Sequence, residues 1–221
     1  MKAEFNKKLA EVEMAALRSQ MNPHFLFNCL NSINRFIQRN EPDAASGYLT
    51  KFSRLIRLVL DNSRSDQVSL RDEMEALRLY IELEAMRFVG RFSYSIDISA
   101  ELDTSSIEVQ PMLVQPYVEN AIWHGLMHKE SDDCQLQVKV FPKDSRLAIV
   151  VEDNGIGREM ARQLKSKSAT LHKSHGMKVT AERIKIINEI YQASATVVIE
   201  DLKGAKGEPA GTRVSLFLPL E

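Results

Sequence analysis

Apolar positions in the first third of the chain repeat at helical intervals. Phe5, Leu9, Val12 and Ala16 make one stripe, and Ala10, Met14, Leu17 and Met21 another. Both suit a helix that packs on a second helix or on its own copy. After Pro23 the same spacing returns in Leu26, Leu30, Ile33 and Ile37, while His24, Asn28, Asn31 and Arg35 repeat it on the opposite face at about 100° per residue. Pro42 ends this helix, because the residue before a proline is pushed out of helical geometry. Asp43 or a neighbour can cap the next helix, which carries Tyr48, Phe52, Leu55 and Val59 on one face. Residues 1–63 therefore read as a helical hairpin. Two helices bury too little surface to be stable alone, and dimerisation into a four-helix bundle supplies what is missing.

The polar stretch from Asp61 to Gln67 predicts a linker, so a first domain spans 1–66. Ser69 can cap a connecting helix within 67–91, with Asp72 and Glu73 in its first turn, favourably placed for the helix dipole, and Leu70, Met74, Leu77 and Ile81 on its apolar face. From residue 92 the pattern changes to short β-branched runs between glycines and prolines. Strands are predicted at Phe92–Ile98, Gln135–Phe141, Leu147–Glu152, Thr196–Asp201 and Thr212–Leu218, and helices at Met112–Met127, Arg158–Leu164 and Met177–Tyr191. The fold class is α+β, with a second domain over 92–221.

Composition narrows the function classes. Among 221 residues, 44% are hydrophobic and 27% charged, which excludes wholesale disorder. Lys and Arg number 29 against 30 Asp and Glu, so there is no basic field to make nucleic acid a direct partner. No apolar run is long enough to span a membrane, and the first residues lack the apolar core of a signal peptide. Cys29 and Cys134 match no metal-ligand spacing, and free thiols in a reducing, cytoplasmic compartment are expected.

Four segments carry candidate chemistry. In Val150-Val151-Glu152-Asp153-Asn154-Gly155-Ile156-Gly157, a carboxylate at a strand end can accept a hydrogen bond from an exocyclic amine, and the glycines permit close backbone approach to a ligand. An ordinary Asx turn reads the same way. In Gln115-Pro116-Tyr117-Val118-Glu119-Asn120-Ala121-Ile122-Trp123-His124-Gly125, an apolar side suits a sheet, while Glu119, Asn120 and His124 project from the other. An Asn amide oxygen is a hard ligand suited to Mg²⁺ between nucleotide phosphates. Ser174-His175-Gly176 opens a helix, whose first N–H groups favour anions. Gly211-Thr212-Arg213-Val214 begins a terminal strand.

Their order resembles the N, G1, G2 and G3 boxes of the Bergerat ATP-binding fold over residues 92–220. Upstream, Leu17-Arg18-Ser19-Gln20-Met21-Asn22-Pro23-His24-Phe25-Leu26-Phe27-Asn28 is similar to the phosphoacceptor segment of LytS-type (autolysin-sensor-like) histidine kinases, and the helix from Ser69 to Phe88 is similar to their connecting segment. The resemblance implies an α/β-sandwich ATP-binding domain joined to a dimerising hairpin, with ATP and Mg²⁺ as cofactors. It implies a homodimer, phosphotransfer from His24 to an aspartate on the receiver domain of a response regulator (often of LytTR type), and an upstream membrane sensor segment missing from this chain, whose cytoplasmic portion this is.

Residue by residue, the resemblance makes His24 the phosphoacceptor, Asn120 the Mg²⁺ ligand, and Asp153 the acceptor for the adenine amine. Gly155 and Gly157 then shape the pocket floor, Gly176 presents N–H groups to phosphate, Thr212 sits near adenine, and His124 lies close to the phosphates. Residues 158–175 become the ATP lid, with Lys165, Lys167 and Lys173 giving it positive charge. Many histidine kinases carry an acidic residue directly after the phosphoacceptor; here it is Phe25, which leaves Asn28 to orient the ring and Glu119 as the substitute base. Ser174 and Thr180 also depart from the usual pattern. Pro23 is expected to kink the helix around Ser19. Two other readings stand beside this one: a nucleotide-binding scaffold without turnover, and a serine kinase or switch ATPase of the anti-sigma kind.

Overall fold

The computed structural model describes residues 23–62, 65, 67–167 and 195–220. The predicted helices over 5–21 and 177–191 lie outside the described residues, as do Ser19, Ser174, Gly176 and Thr180. The chain divides into two units, Met1–Val89 with Glu108–Met112, and Gly90–Ile107 with Leu113–Glu221.

The first unit contains α1 (Pro23–Gln38), α2 (Pro42–Asn62), β1 (Val68–Ser69), α3 (Leu70–Arg87) and β3 (Glu108–Val109). Its core takes Phe25, Cys29 and Phe36 from α1, Tyr48, Leu55 and Val59 from α2, and Leu77, Tyr80, Ile81 and Leu83 from α3. Phe25 meets Tyr80 with ring centroids 5.0 Å apart, and Phe36 meets Tyr48 at 5.8 Å. Each fully buried Leu or Ile contributes about 1.5–3 kcal/mol. The apolar stripe expected from Leu26, Leu30, Ile33 and Ile37 is not the face that packs here: Leu30 is 54% and Ile37 62% exposed. Phe25, Cys29, Ser32 and Phe36 share the same spacing on a third face, and that face meets α2 and α3. Asn28, expected on the polar face, is buried at its edge.

The N-cap at Ser69 forms as expected, its Oγ accepting the Asp72 N–H at 3.1 Å. Glu73 does more than complement the helix dipole. It is buried, and its Oε2 accepts the Met112 N–H at 2.8 Å, holding the returning segment against α3 beside the antiparallel β1–β3 pair. Met112 has a left-handed φ of 57°. The helix predicted from Met112 therefore starts only at Gln115, with Pro116 in its first turn, where no N–H is missed.

The second unit is a five-stranded sheet of order β2-β4-β5-β7-β6, built from β2 (Phe92–Ile98), β4 (Cys134–Lys143), β5 (Arg146–Asp153), β6 (Thr196–Lys203) and β7 (Pro209–Pro219). All five were predicted, four with shorter ends. β2 runs parallel to β4 and every other pair is antiparallel. Asp144 and Ser145, both at positive φ, close the tight β4–β5 hairpin. One sheet face is covered by α4 (Gln115–Asn120) with its continuation and by α5 (Gly157–Lys167). The fold is thus α+β, an N-terminal helical region followed by a mixed sheet with helices on it.

Candidate nucleotide site

A cavity of about 210 Å³ opens between that sheet face and the two helices. Strand register explains its floor. Asp153 pairs with Thr212 and Thr212 with Asp201, which makes one row across β5, β7 and β6; Val151, Val214 and Ile199 make the next row. Side chains directly opposite on neighbouring strands point to one face. The floor is therefore an apolar row beside a polar one, suited to a flat heteroaromatic ring with hydrogen-bonding edges.

Asp153 is the most unusual group in the cavity. It is 4% exposed. Its Oδ1 accepts the Gly155 N–H at 2.8 Å, and the Thr212 backbone N–H also favours the carboxylate. Among the described residues no cation forms a salt bridge with it, and burial pushes its pKa up to about 7. A buried acid satisfied only by backbone N–H groups is poised to accept one more donor from a ligand. The Asx turn is real as well, since the Gly155 bond closes it.

The glycines explain the packing. A Cβ at 155 would collide with the Gly125 backbone, so the turn after β5 presses directly onto the end of the Asn120 helix. Gly211, at φ 125°, approaches the Asp153 carbonyl in a way no side chain permits. Gly157 lines the cavity and begins α5. Asn154 stays outside the cavity lining and ties the turn to β4, accepting the Gln135 N–H at 2.7 Å and donating to the Asp133 carbonyl at 2.6 Å.

The helix above the floor changes pitch in mid-course. α4 ends at Asn120, Ala121–Gly125 is a π turn, and Leu126–His128 a 3₁₀ turn. Such π turns recur at functional sites. Asn120 and His124 both line the cavity, and the Asn120 amide nitrogen is buried without a hydrogen-bond partner among the described residues. That amide is available to a ligand, and turned over it offers its oxygen to a cation. Among the described residues no group of three or more His, Cys, Asp or Glu is placed to hold a metal by itself. One amide oxygen plus phosphate oxygens fits Mg²⁺, which commonly takes few protein ligands. Glu119 is half-buried and is not among the residues lining the cavity.

Sequence reasoning did not single out Tyr117 or Ile199 and placed Arg158, Ala161 and Arg162 only within the lid segment, yet all five line the cavity. The two valines of the floor were visible only as strand residues. In the first unit, His24 is exposed on α1, and the Asn28 amide nitrogen donates to its Nδ1 at 3.1 Å, the contact expected of Asn28.

The histidine kinase family model matches residues 12–92. The chain is 30% identical to the sensor protein LytS of Enterococcus faecalis over 98% of its own length and 35% of the relative. It is 34% identical to LytS of Bacillus subtilis over 69% of this chain and 25% of that one. It is also 28% identical to the sensor histidine kinase YpdA of Escherichia coli, over 95% and 34%. Among solved structures, the mycobacterial sensor histidine kinase MprB aligns at 13% identity with a TM-score of 0.47, over 69% of this chain and 95% of that one. The chain is a member of the histidine kinases. It spans a quarter to about a third of the length of these curated relatives. Within the family it belongs to the LytS-type sensor kinases. Among the described residues, no helix is long and apolar enough to cross a membrane.

Proposed function

We propose that the chain is the kinase core of a two-component sensor: ATP binds in the cavity over β5, β7 and β6, its γ-phosphoryl group passes to His24, and from there to an aspartate of a response regulator. The observation that carries this reading is Asp153, a buried carboxylate facing the cavity with backbone N–H partners and, among the described residues, no paired cation. Adenine offers the amine such a group lacks. The row of Val151, Val214 and Ile199 receives the ring face, and Thr212 sits at the ring edge.

Asn120 and His124 serve the phosphate end. Mg²⁺, when bound, neutralises charge on the phosphates, and Asn120 is the residue that would hold it. The family resemblance assigns Gly176 to the phosphates as well. At His24, attack by an imidazole nitrogen forms the N–P bond as the bond to the ADP oxygen breaks. Asn28 sets the tautomer: turned so that its amide oxygen accepts from Nδ1–H, it leaves Nε2 unprotonated and nucleophilic. Glu119 is retained as the candidate proton acceptor. The exposed Phe27, Leu30 and Ile37 on α1 supply the surface for a homodimer. A response regulator receiver domain, of LytTR type, is the partner, and the chain is the cytoplasmic part of a membrane sensor.

Incubation with γ-labelled ATP and Mg²⁺ tests this. The expected product is an acid-labile, base-stable label absent from His24→Ala. Nucleotide binding without label would favour the scaffold reading, and an acid-stable label the serine kinase.

A further inference from the structure

The polar row of the cavity floor has a third position, and the residue that fills it has no role of its own beyond its place at the start of the expected lid. Asp201 stands opposite Thr212 on β6, but it is Arg158, from the first turn of α5, that lines the cavity there. The Arg158 Nε and Nη2 donate to the two Asp201 carboxylate oxygens, each at 2.7 Å. The pair is bidentate, which fixes the guanidinium plane and neutralises its charge. Arg158 is the better covered partner, with 28% of its side chain exposed against 49% for Asp201. The cavity therefore meets acid, hydroxyl and guanidinium in sequence across three strands.

Arg162, one turn along α5, lines the same cavity but is held differently. Its nearest carboxylate, Glu159, is 3.9 Å away, and both side chains are largely exposed. Two arginines of one helix thus present a guanidinium held by two carboxylate oxygens and a more exposed, loosely paired one.

We infer that Arg158 is a positioning residue for the nucleoside part of the ligand, its fixed guanidinium plane packing on the base and ribose, while Arg162 is the arginine available to phosphate. This rests on the cavity being the nucleotide site. A guanidinium already engaged at Nε and Nη2 by two carboxylate oxygens is half of a neutral pair, so it attracts a phosphate less than an arginine without such a partner. Arg158 still lines the cavity, and a guanidinium plane stacks favourably on an aromatic ring. Its place is also set by the row: Asp153, which takes the amine, is two strand spacings or about 10 Å from Asp201. The base extends from Asp153 along this row and ends at Arg158.

The test is a set of equilibrium affinities for adenosine, ADP and ATP with Mg²⁺, on the full chain and its variants. Arg158→Ala is expected to weaken all three by the same factor, about tenfold. Arg158→Lys keeps the charge without the plane and is expected to lose nearly as much. Asp201→Asn frees the guanidinium and gives a smaller loss for adenosine. Arg162→Ala is expected to spare adenosine and weaken ATP. An Arg158→Ala loss that grows with the number of phosphates, full recovery by lysine, or no loss at all overturns the inference. If the unsubstituted protein binds none of the three, it is the nucleotide site itself that fails. Unchanged thermal midpoints in the variants separate lost contacts from lost folding.

Discussion

Two of the buried acidic side chains, Glu84 in the helical unit and Asp153 in the sheet unit, sit in opposite surroundings. In the helical unit, Glu84 on α3 has no exposed surface and faces the Arg87 guanidinium at 3.5 Å, one turn along the same helix. Its charge is felt by Cys29 and Tyr48 on the neighbouring helices, and burial drives the Cys29 thiol up to about 11. In the sheet unit, Asp153 is nearly as buried, but its partners are backbone N–H groups and an open cavity. A carboxylate that has its own cation belongs to the architecture. One without a cation, at the wall of a cavity, is waiting for a ligand. The difference separates a structural acid from a binding acid without reference to any relative.

Removing the cation beside Glu84 is expected to have the largest effect. Arg87→Ala takes away the guanidinium that Glu84 faces, and about 3 kcal/mol of stability is expected to be lost from the helical unit in urea unfolding. ADP affinity, which belongs to the other unit, is expected to hold. Equal loss of both would mean that the two acids are not separate. Asp153→Asn is next in size. It loses the charge-assisted bond to the base, and ADP affinity is expected to fall by about 10- to 100-fold, measured by titration calorimetry, with the chain still folded.

The pH dependence is a smaller and sharper effect. The fold holds the Asp153 proton more tightly than the unfolded chain, whose carboxyl titrates near 3.8. Its contribution to stability is therefore complete below about pH 4 and is lost as pH rises through about 7. Between pH 6 and 8 the ligand-free protein is expected to lose about 1.4 kcal/mol relative to Asp153→Asn. Ligand binding has the reverse slope, because the carboxylate is the acceptor. Adenosine, which has no phosphate to titrate, is expected to bind about tenfold more weakly at pH 6 than at pH 8. Asn28→Ala is the mildest change: with the ring no longer oriented, labelling is expected to slow by a few-fold while ADP affinity stays unchanged.

Much of this was legible in the residues. Short β-branched runs between glycines and prolines placed all five strands of the sheet, Ser69 announced its helix, and Asp153 and Asn120 stood out by type and spacing. What could not be read was non-local. The row of Asp153, Thr212 and Asp201 depends on β6 pairing with β7, and β7 with β5, across large gaps in sequence. Arg158 follows directly after Gly157, yet only the register reveals its partner. On α1, two faces carry helically spaced apolar residues. Periodicity selected the aliphatic one, and the aromatic face with Cys29 makes the core because α3 packs there too. The pitch change after Asn120 has no signal in composition.

The account depends on a nucleotide in the sheet unit supplying the phosphoryl group that His24 receives. The most direct measurement is mass-spectrometric mapping of the phosphoramidate after exposure to MgATP, on the unsubstituted chain and on Asp153→Asn side by side. The account predicts modification at His24 in the first and none in the second, with both proteins folded. Modification at another residue, or equal modification of His24 in both, would contradict it.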